Sequence, residues 1–415
     1  GYGTQGASLA RRLRDDGHNL VYFCNYGLRG GVIQWEGITC LPTAQDDGYT
    51  DPIIHGHIRS VQPDLLITLF DAWPLRGKPF PLPGGNRVIP WAAWVPVDHS
   101  PLSPANREVL AGVTYPVSMS RHGQEEMDGA GIKNTYIPHG IEKAFHWTAS
   151  GRKEFRRLLE VPDDAFLFGT VGLHYGYPNR KGTDRLFEAL TKVPDAFLYI
   201  HGLPEPLRDG MNMEEIVDFY GVKDRVRFAD PYNYTMGYSQ GGMNALYSAL
   251  DCYVQPTMGE GFGLPVIEAQ ACGCPVIVTD CTSMPELVAP GAGILVPGEN
   301  FLVPDLAHRT IINAGKLAEA MTDMMEWQKG TPNKVAVLRQ TVARWANAWD
   351  WDKIYKEEWQ PFLAEIAKDV ARSPKEEWRR GGGLVFERNG RIRKQDSTLK
   401  SPAVRKELAL LKTLD

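Results

Sequence analysis

The chain of 415 residues lacks any run approaching the roughly 18 apolar residues that a membrane-spanning helix needs. Its longest apolar stretches, such as Pro63–Phe70 and Cys274–Thr279, are strand-length. A signal-peptide pattern is also lacking. Cysteine is scarce: six residues in a chain this long do not make a disulfide scaffold, and a reducing, cytoplasmic setting is expected. Cys272, Cys274 and Cys281 lie close together but lack the second ligand pair of a zinc site, so they are expected to be small buried thiols. Internal repeats and low-complexity tracts are missing too.

What is present is the composition of a soluble globular protein, 43% hydrophobic and 23% charged. The length exceeds what one hydrophobic core supports, so two domains are expected. The net charge of −5 hides an asymmetry. Residues 372–415 hold twelve Lys/Arg against six Asp/Glu, a balance of +6, which leaves −11 on the rest. A basic tail on an acidic body points to an anionic contact, with a membrane surface, nucleic acid or its own body, or to a plain solvated helix.

Apolar strand-like runs alternate with helical patterns, the mark of an α/β chain with parallel sheets. The first half reads as a loop at Gly1–Gly6, a helix at Ala7–Asp16 and strands at Asn19–Cys24, Asp64–Leu69, Val88–Val95 and Thr114–Met119. Ser120 is placed to cap a helix at Arg121–Gly129. After a polar linker near 142–152, strands are expected at Ala165–Val171, Ala196–His201, Arg225–Phe228, Asp251–Gln255 and Pro275–Thr279. Helices are expected at Thr183–Thr191, Met243–Leu250 and Leu264–Ala271. Past Leu317 the pattern is helical, through Met321–Trp327, Asn333–Trp349 and Trp351–Ile366. The aromatics Trp345, Trp349, Trp351, Tyr355 and Trp359 recur at helical spacing and read as packing. The tail reads as a hairpin about Asn389-Gly390 and a helix at Ala403–Leu411.

The sharpest motif is Glu260-Gly-Phe-Gly-Leu-Pro-Val-Ile-Glu268. A glycine-rich turn between a buried strand and a helix bares backbone N–H groups where phosphate is favoured. Two carboxylates flanking such a turn cannot serve phosphate; they suit hydroxyls, which need acceptors. Asn179-Arg180-Lys181-Gly182-Thr183 places two cations at another helix entrance, where a departing diphosphate gains negative charge.

The run from Glu260 to Glu268, continuing as Ala-Gln-Ala-Cys-Gly-Cys-Pro-Val-Ile-Val-Thr-Asp and Met284-Pro-Glu-Leu, resembles the E-x7-E region of the GT4 retaining glycosyltransferases. The resemblance covers roughly residues 1–360. It implies a GT-B fold: two Rossmann-like domains facing across a cleft, with C-terminal helices and a basic tail. The matching boundaries are 1–148 for an N-terminal acceptor domain, 149–348 for a nucleotide-sugar domain, 349–371 for a helix crossing back, and 372–415 for the extension.

By the same resemblance Glu260 lies against the donor sugar and Glu268 binds the donor ribose. Gly261, Phe262, Gly263 and Leu264 bring the turn to the diphosphate, and Arg180 and Lys181 stabilise its charge. The family places its Arg directly after the first strand, where this chain has Gly172-Leu173. Gly3, in an opening glycine loop, approaches the donor phosphate, and Gly17-His18 matches the family's following turn. The family has a strand just before that loop, so roughly ten upstream residues are implied. His99 faces the donor sugar, and Asp98 orients it or touches the acceptor. His139 shapes a turn, and Asp230–Tyr234 occupies the position of a base-binding segment. Asp350-Trp351-Asp352 imitates the D-x-D of metal-dependent transferases but lies in a helical region, and no bound metal or other cofactor is expected.

The expected activity is retaining transfer of a sugar from a UDP- or GDP-type donor to a hydroxyl of a saccharide or glycan. The alternatives are a hydroxymethylated DNA base as acceptor, a nucleotide-sugar epimerase or phosphorylase of the same fold, and an inactive nucleotide-binding copy. The loops Gly27–Thr50 and Asp71–Asn86 are the expected acceptor contacts.

Overall fold

In the computed structural model, residues 1–25, 27–43, 53–75, 89–174, 176, 178–205, 210–329, 332–372, 384–386 and 392–394 are described. They form two compact units. One comprises Gly1, Trp94–Ala111 and Pro116–Trp359; the other holds the described residues of Tyr2–Ala93, Gly112–Tyr115 and Gln360–Asp415. Both are discontinuous in sequence, so this is a different partition from domains cut in chain order.

The first unit is built on six parallel strands. Their spatial order is Val226–Phe228, Ala196–His201, Phe166–Val171, Cys252–Gln255, Val276–Thr279, Ile294–Val296. The chain winds outward one way from Phe166–Val171 and then returns to start again at Cys252–Gln255. The topological switch point therefore falls between these two strands, and loops after their carboxyl ends open a crevice suited to a ligand. The central strands Cys252–Gln255 and Val276–Thr279 are buried at every position, as expected for strands covered on both faces. Phe168, Leu198, Val254 and Ile277 pack with Leu186, Phe187 and Leu190 of the helix Thr183–Leu190 and with Leu317, Met321 and Met324 of the helix Ala314–Gln328.

Five of these strands and the helix Thr183–Leu190 match the sequence expectation to within one residue at either end, while the helix expected at Met321–Trp327 begins seven residues earlier, at Ala314. Several elements were not anticipated: the helices Ile53–Val61, Pro104–Leu110 and Met213–Tyr220, the strand Ile294–Val296, and the antiparallel pair Gly298–Val303 with Ala307–Ile312. The polar segment read as linker turns helical at Ala149–Leu158. Trp349, Trp351, Tyr355 and Trp359 are buried, and Trp94 meets Trp351 and Trp359 edge-on at 6.2 and 5.0 Å between ring centres. Packing is indeed their role. The Asp350 side chain accepts N–H bonds from Asp352 and Lys353 at 3.0 and 3.1 Å, capping the next helix, and Asp352 pairs with Lys143 at 2.5 Å. The D-x-D is thus a helix cap and a surface ion pair.

In the second unit the helix Tyr2–Asp15 accompanies a three-stranded sheet. Its strand Ile38–Leu41 pairs in parallel with Val21–Phe23 and antiparallel with Ile33–Trp35. The expected loop at Gly1–Gly6 is corrected: helix begins at Tyr2, and Gly3 is an exposed residue of its first turn. The chain leaves the first unit for the second between Trp359 and Gln360, within one helical run ending in Gln360–Arg372. Leu384–Phe386 and Ile392–Lys394 pair antiparallel, in keeping with the hairpin expected about Asn389-Gly390. The helix expected at Ala403–Leu411 and most of the 372–415 extension lie outside the described residues, as do residues 44–50 and 76–86 of the expected acceptor loops. Among the described residues no helix is long and apolar enough to cross a membrane.

Candidate active site

Two loops leave the sheet at its switch point, and each delivers part of one ionic cluster. The strand Phe166–Val171 leads to a turn in which the Asn179 side chain accepts the Lys181 N–H at 3.0 Å. Gly182 follows at φ +67°, and a Cβ there would collide with the Pro256 carbonyl. A glycine is therefore required for this turn to lie against the second loop, Pro256–Gly263. Lys181 Nζ reaches Glu260 Oε1 at 2.6 Å, and Arg180 approaches Oε2 at 3.3 Å. A Cβ placed on Gly172 would be 3.3 Å from Lys181 Cε. The lysine stem thus packs over the position where the family carries its arginine.

Glu260 is held from several sides. Thr257 donates its hydroxyl to Oε1 at 2.9 Å, and the Glu260 N–H donates to Thr282 Oγ1 at 3.0 Å. Burial pushes the carboxyl up, but the charges of Arg180 and Lys181 and the hydrogen bonds from Lys181 and Thr257 outweigh it, bringing the pKa down to about 2. Lys181 is pulled down by burial, against the attraction of Glu260. Gly261 lies against Pro96, where a Cβ would overlap the Pro96 ring. Gly263 is the cap of the helix Leu264–Ala271, so the N–H groups at that turn lack intrahelical acceptors. Phe262 is buried, its ring 5.2 Å from that of His139.

Glu268, about one turn along the same helix, is in a different setting. Burial raises its pKa, and its nearest aid is the Tyr247 hydroxyl, which donates to Oε2 at 2.8 Å. The two signature carboxylates therefore differ in kind: Glu260 is anchored by cations, Glu268 by a phenol.

Asp98 and His99 follow the fully buried strand Trp91–Val95. Asp98 Oδ1 accepts from His99 Nδ1 at 2.9 Å, while His99 Nε2 accepts the Ser103 N–H at 3.1 Å. Both ring nitrogens are thus engaged within the chain and fix one tautomer, an arrangement unlike the direct sugar contact that the resemblance implies. Asp98 Oδ2 lies 3.2 Å from Arg309 and 3.8 Å from Arg180. Burial opposes its charge, but the His99 hydrogen bond and the two arginines hold its carboxyl well below the usual range. Asp98, His99, Arg180, Lys181 and Glu260 are therefore brought together; Gly3 belongs to the other unit.

His139 is buried between Trp94 and Phe262 and driven to a pKa of about 3 by burial, so it shapes the fold there. Asp230 caps the helix Pro231–Met236, and Tyr234 and Tyr238 flank His201 at 5.2 and 4.7 Å. Cys272, Cys274 and Cys281 are buried free thiols, Cys272 donating to Asn244 Oδ1 at 3.0 Å. Among the described residues no group of three or more His, Cys, Asp or Glu could hold a metal ion. The residues that sequence reasoning missed are Thr257, Thr282, Tyr247 and Arg309. The first two flank the glycine turn and could have been suspected as its supports. Tyr247 and Arg309 are distant in sequence from what they touch, and no local signal marks them.

The fold is GT-B, an α/β architecture of glycosyltransferases. Structural similarity covers 89% of this chain and 94% of sucrose-phosphate synthase from Thermosynechococcus elongatus, at 20% identity and a TM-score of 0.69. Anabaena HepE, solved in complex with UDP-glucose, matches over 80% of this chain and 86% of its own at 18% identity and a TM-score of 0.57. Residues 165–323, which hold most of the ionic cluster, match the family Glycosyl transferases group 1. A curated relative, D-inositol 3-phosphate glycosyltransferase of Mycobacterium bovis, is 26% identical over 237 residues; the match covers 56% of this chain and 44% of that protein. The chain thus aligns with less than half of the length of that relative.

Proposed function

We propose that this chain is a retaining glycosyltransferase that moves a sugar from a nucleotide-sugar donor to an acceptor hydroxyl, of a saccharide or glycan by default, without a resident metal. The observation that carries the proposal is the ion pair of Lys181 and Arg180 with Glu260 at the switch point of the six-stranded sheet, beside a bare glycine turn at a helix entrance. A donor diphosphate replaces Glu260 as partner of the two cations, while the N–H groups of the Phe262–Leu264 turn receive its oxygens. The Glu260 carboxylate, held ionised, then accepts from hydroxyls of the donor sugar. Glu268 and Tyr247 meet the ribose. A UDP-type donor is favoured by the ligand of HepE.

In the transfer step the acceptor oxygen bonds to the anomeric carbon as the bond from that carbon to the diphosphate oxygen breaks. The proton of the acceptor hydroxyl passes to the departing diphosphate, whose growing charge Lys181 and Arg180 stabilise. Electrostatic stabilisation of this kind typically supplies a factor of about 10²–10³ per donor group. His99 and Asp98 are assigned to positioning, since their mutual bond leaves the imidazole with a fixed tautomer.

Proton NMR of the sugar product, with each candidate donor and a panel of acceptors, tests this reading. An α-linked product from an α-linked donor supports it. Inversion at the anomeric carbon, epimerised donor, or turnover only with inorganic phosphate contradicts it.

A further inference from the structure

The antiparallel pair Gly298–Val303 and Ala307–Ile312 brings a third cation to the cluster, from a stretch that neither glutamate motif nor the Arg–Lys pair includes. Phe301 stands opposite Arg309 in its register. The outer edge of Ala307–Ile312 is stitched to two site loops. Ser100 and His308 exchange backbone hydrogen bonds at 3.1 and 2.6 Å, and the Thr310 N–H donates to the Met258 carbonyl at 2.9 Å. Ser100 lies two residues after Asp98, and Met258 two before Glu260. Arg309, between the two stitched residues, is held where its guanidinium donates to Asp98 Oδ2 at 3.2 Å.

That contact has a consequence for Arg180. Asp98 Oδ2 is the oxygen that also faces Arg180, at 3.8 Å, beyond hydrogen-bond length. Oδ1 is committed to His99. With Arg309 present, the second oxygen has its own donor, and Arg180 keeps its bond to the Gly259 carbonyl at 2.5 Å and its approach to Glu260. With Arg309 gone, a partly buried carboxylate would need a new partner, and Arg180 is the cation next to it.

We propose that Arg309 is a positioning residue: by occupying Asp98 it keeps Arg180 from being drawn onto that carboxylate, and so holds Arg180 for the donor's diphosphate. This rests on the reading of Arg180 and Lys181 as diphosphate ligands. The antiparallel pair is then part of the site, not a decoration of the domain.

The test is calorimetric binding of UDP, GDP and ADP to the wild-type chain and to variants whose melting temperatures are recorded alongside. Arg309→Met is expected to weaken the best-bound diphosphate by about tenfold, or about 1.4 kcal/mol. Arg309→Lys should restore most of the loss. The decisive variant is Arg309→Met combined with Asp98→Asn. With no carboxylate left to capture Arg180, it should bind no worse than Asp98→Asn alone, a non-additive cycle that a merely structural arginine does not produce. Unchanged binding in Arg309→Met, or losses that simply multiply in the double variant, overturns the role of Arg309. Failure of the wild-type chain to bind any nucleoside diphosphate overturns instead the nucleotide reading beneath it.

Discussion

At the amino ends of the six parallel strands Asp251 receives Arg152, Arg156 and Arg339 at 2.7, 3.2 and 3.4 Å; at the carboxyl ends Glu260 receives Lys181 and Arg180 at 2.6 and 3.3 Å. Both are partly or fully buried carboxylates among cations, and a cleft of about 300 Å³ lies beside Asp251, lined by Trp147, Arg152, Asp163, Asp164 and Arg339 among others. The difference is in what else the cations hold. Arg152 and Arg156 also donate to the Ala249 carbonyl at 2.9 and 3.0 Å, Arg156 to Pro162 at 2.7 Å, and Arg339 to Gly273 at 3.4 Å. The Leu167 N–H closes on Asp251 Oδ2 at 2.9 Å. These guanidiniums tie loop carbonyls to the sheet. At the other end Lys181 donates to the Glu260 carboxylate, while Arg180 holds one backbone carbonyl, that of Gly259 at 2.5 Å, besides approaching its carboxylates, so Lys181 is the cation that an incoming anion can take from Glu260 without unpicking the backbone. A cluster of charges is a strut or a site according to its other partners.

The widest separation between the two ends should come from Asp251→Ala. It removes the common counter-charge of three arginines, of which Arg156 has a side chain only 1% exposed, and should cost about 3–5 kcal/mol. Urea unfolding checks this, and nucleotide binding below the transition should be unchanged. Lys181→Ala is the converse. Turnover should fall by about 10²–10³, with an unfolding midpoint near that of the wild type; a large loss of stability with turnover retained would erase the distinction.

Glu286 sharpens the comparison at the carboxyl end. It follows the strand Val276–Thr279, and both its oxygens lie 3.0 Å from the Arg121 N–H, yet burial carries its pKa up to about 7. Arg121 and its main-chain N–H oppose that rise, and Glu125 adds to it. The folded value exceeds the ordinary 4.5, so the folded state binds this proton more tightly. Stability from this group is full below the unfolded value and is lost as pH rises through about 7. Glu286→Gln should therefore raise the melting temperature relative to wild type at pH 8 and not at pH 4; scanning calorimetry at both values checks it.

The smallest effect is expected at Leu306, which is 64% exposed and has a φ of +58° in the turn that leads into the strand of Arg309. A left-handed leucine costs roughly 1–2 kcal/mol, and glycine at the same place gives back part of that through unfolded-state entropy. Leu306→Gly should stabilise the chain by about 0.5 kcal/mol and leave diphosphate affinity as it was, measured by urea unfolding and calorimetry.

Five of the six strands of the parallel sheet were legible in the sequence because they are short, largely apolar runs between helical patterns; Ile294–Val296 was not. The Glu260–Glu268 turn was legible because carboxylates beside a glycine turn have no packing explanation. The helix at Tyr2–Asp15 was misread at its start, since Gly1, Gly3 and Gly6 look like a loop although two of them occupy a helical first turn and a half. The strand of Arg309 was hidden for another reason. Its register is set by Gly298–Val303, but its place beside the site is set by backbone bonds to Ser100 and Met258, long-range contacts that leave no periodic trace. His99 was picked for chemistry by the family resemblance, and no sequence signal shows that Ser103 and Asp98 occupy both its nitrogens.

The most direct test of the central claim, that the carboxyl-end cluster is a nucleotide-sugar site, is a thermal-shift titration. UDP-, GDP- and ADP-sugars are added to the wild-type chain and to Lys181→Ala, each with and without EDTA. One class of donor is expected to stabilise the wild type, EDTA should leave this shift in place, and Lys181→Ala should lose most of it. Stabilisation by none of them, stabilisation only with a divalent metal, or an equal shift in Lys181→Ala would contradict it.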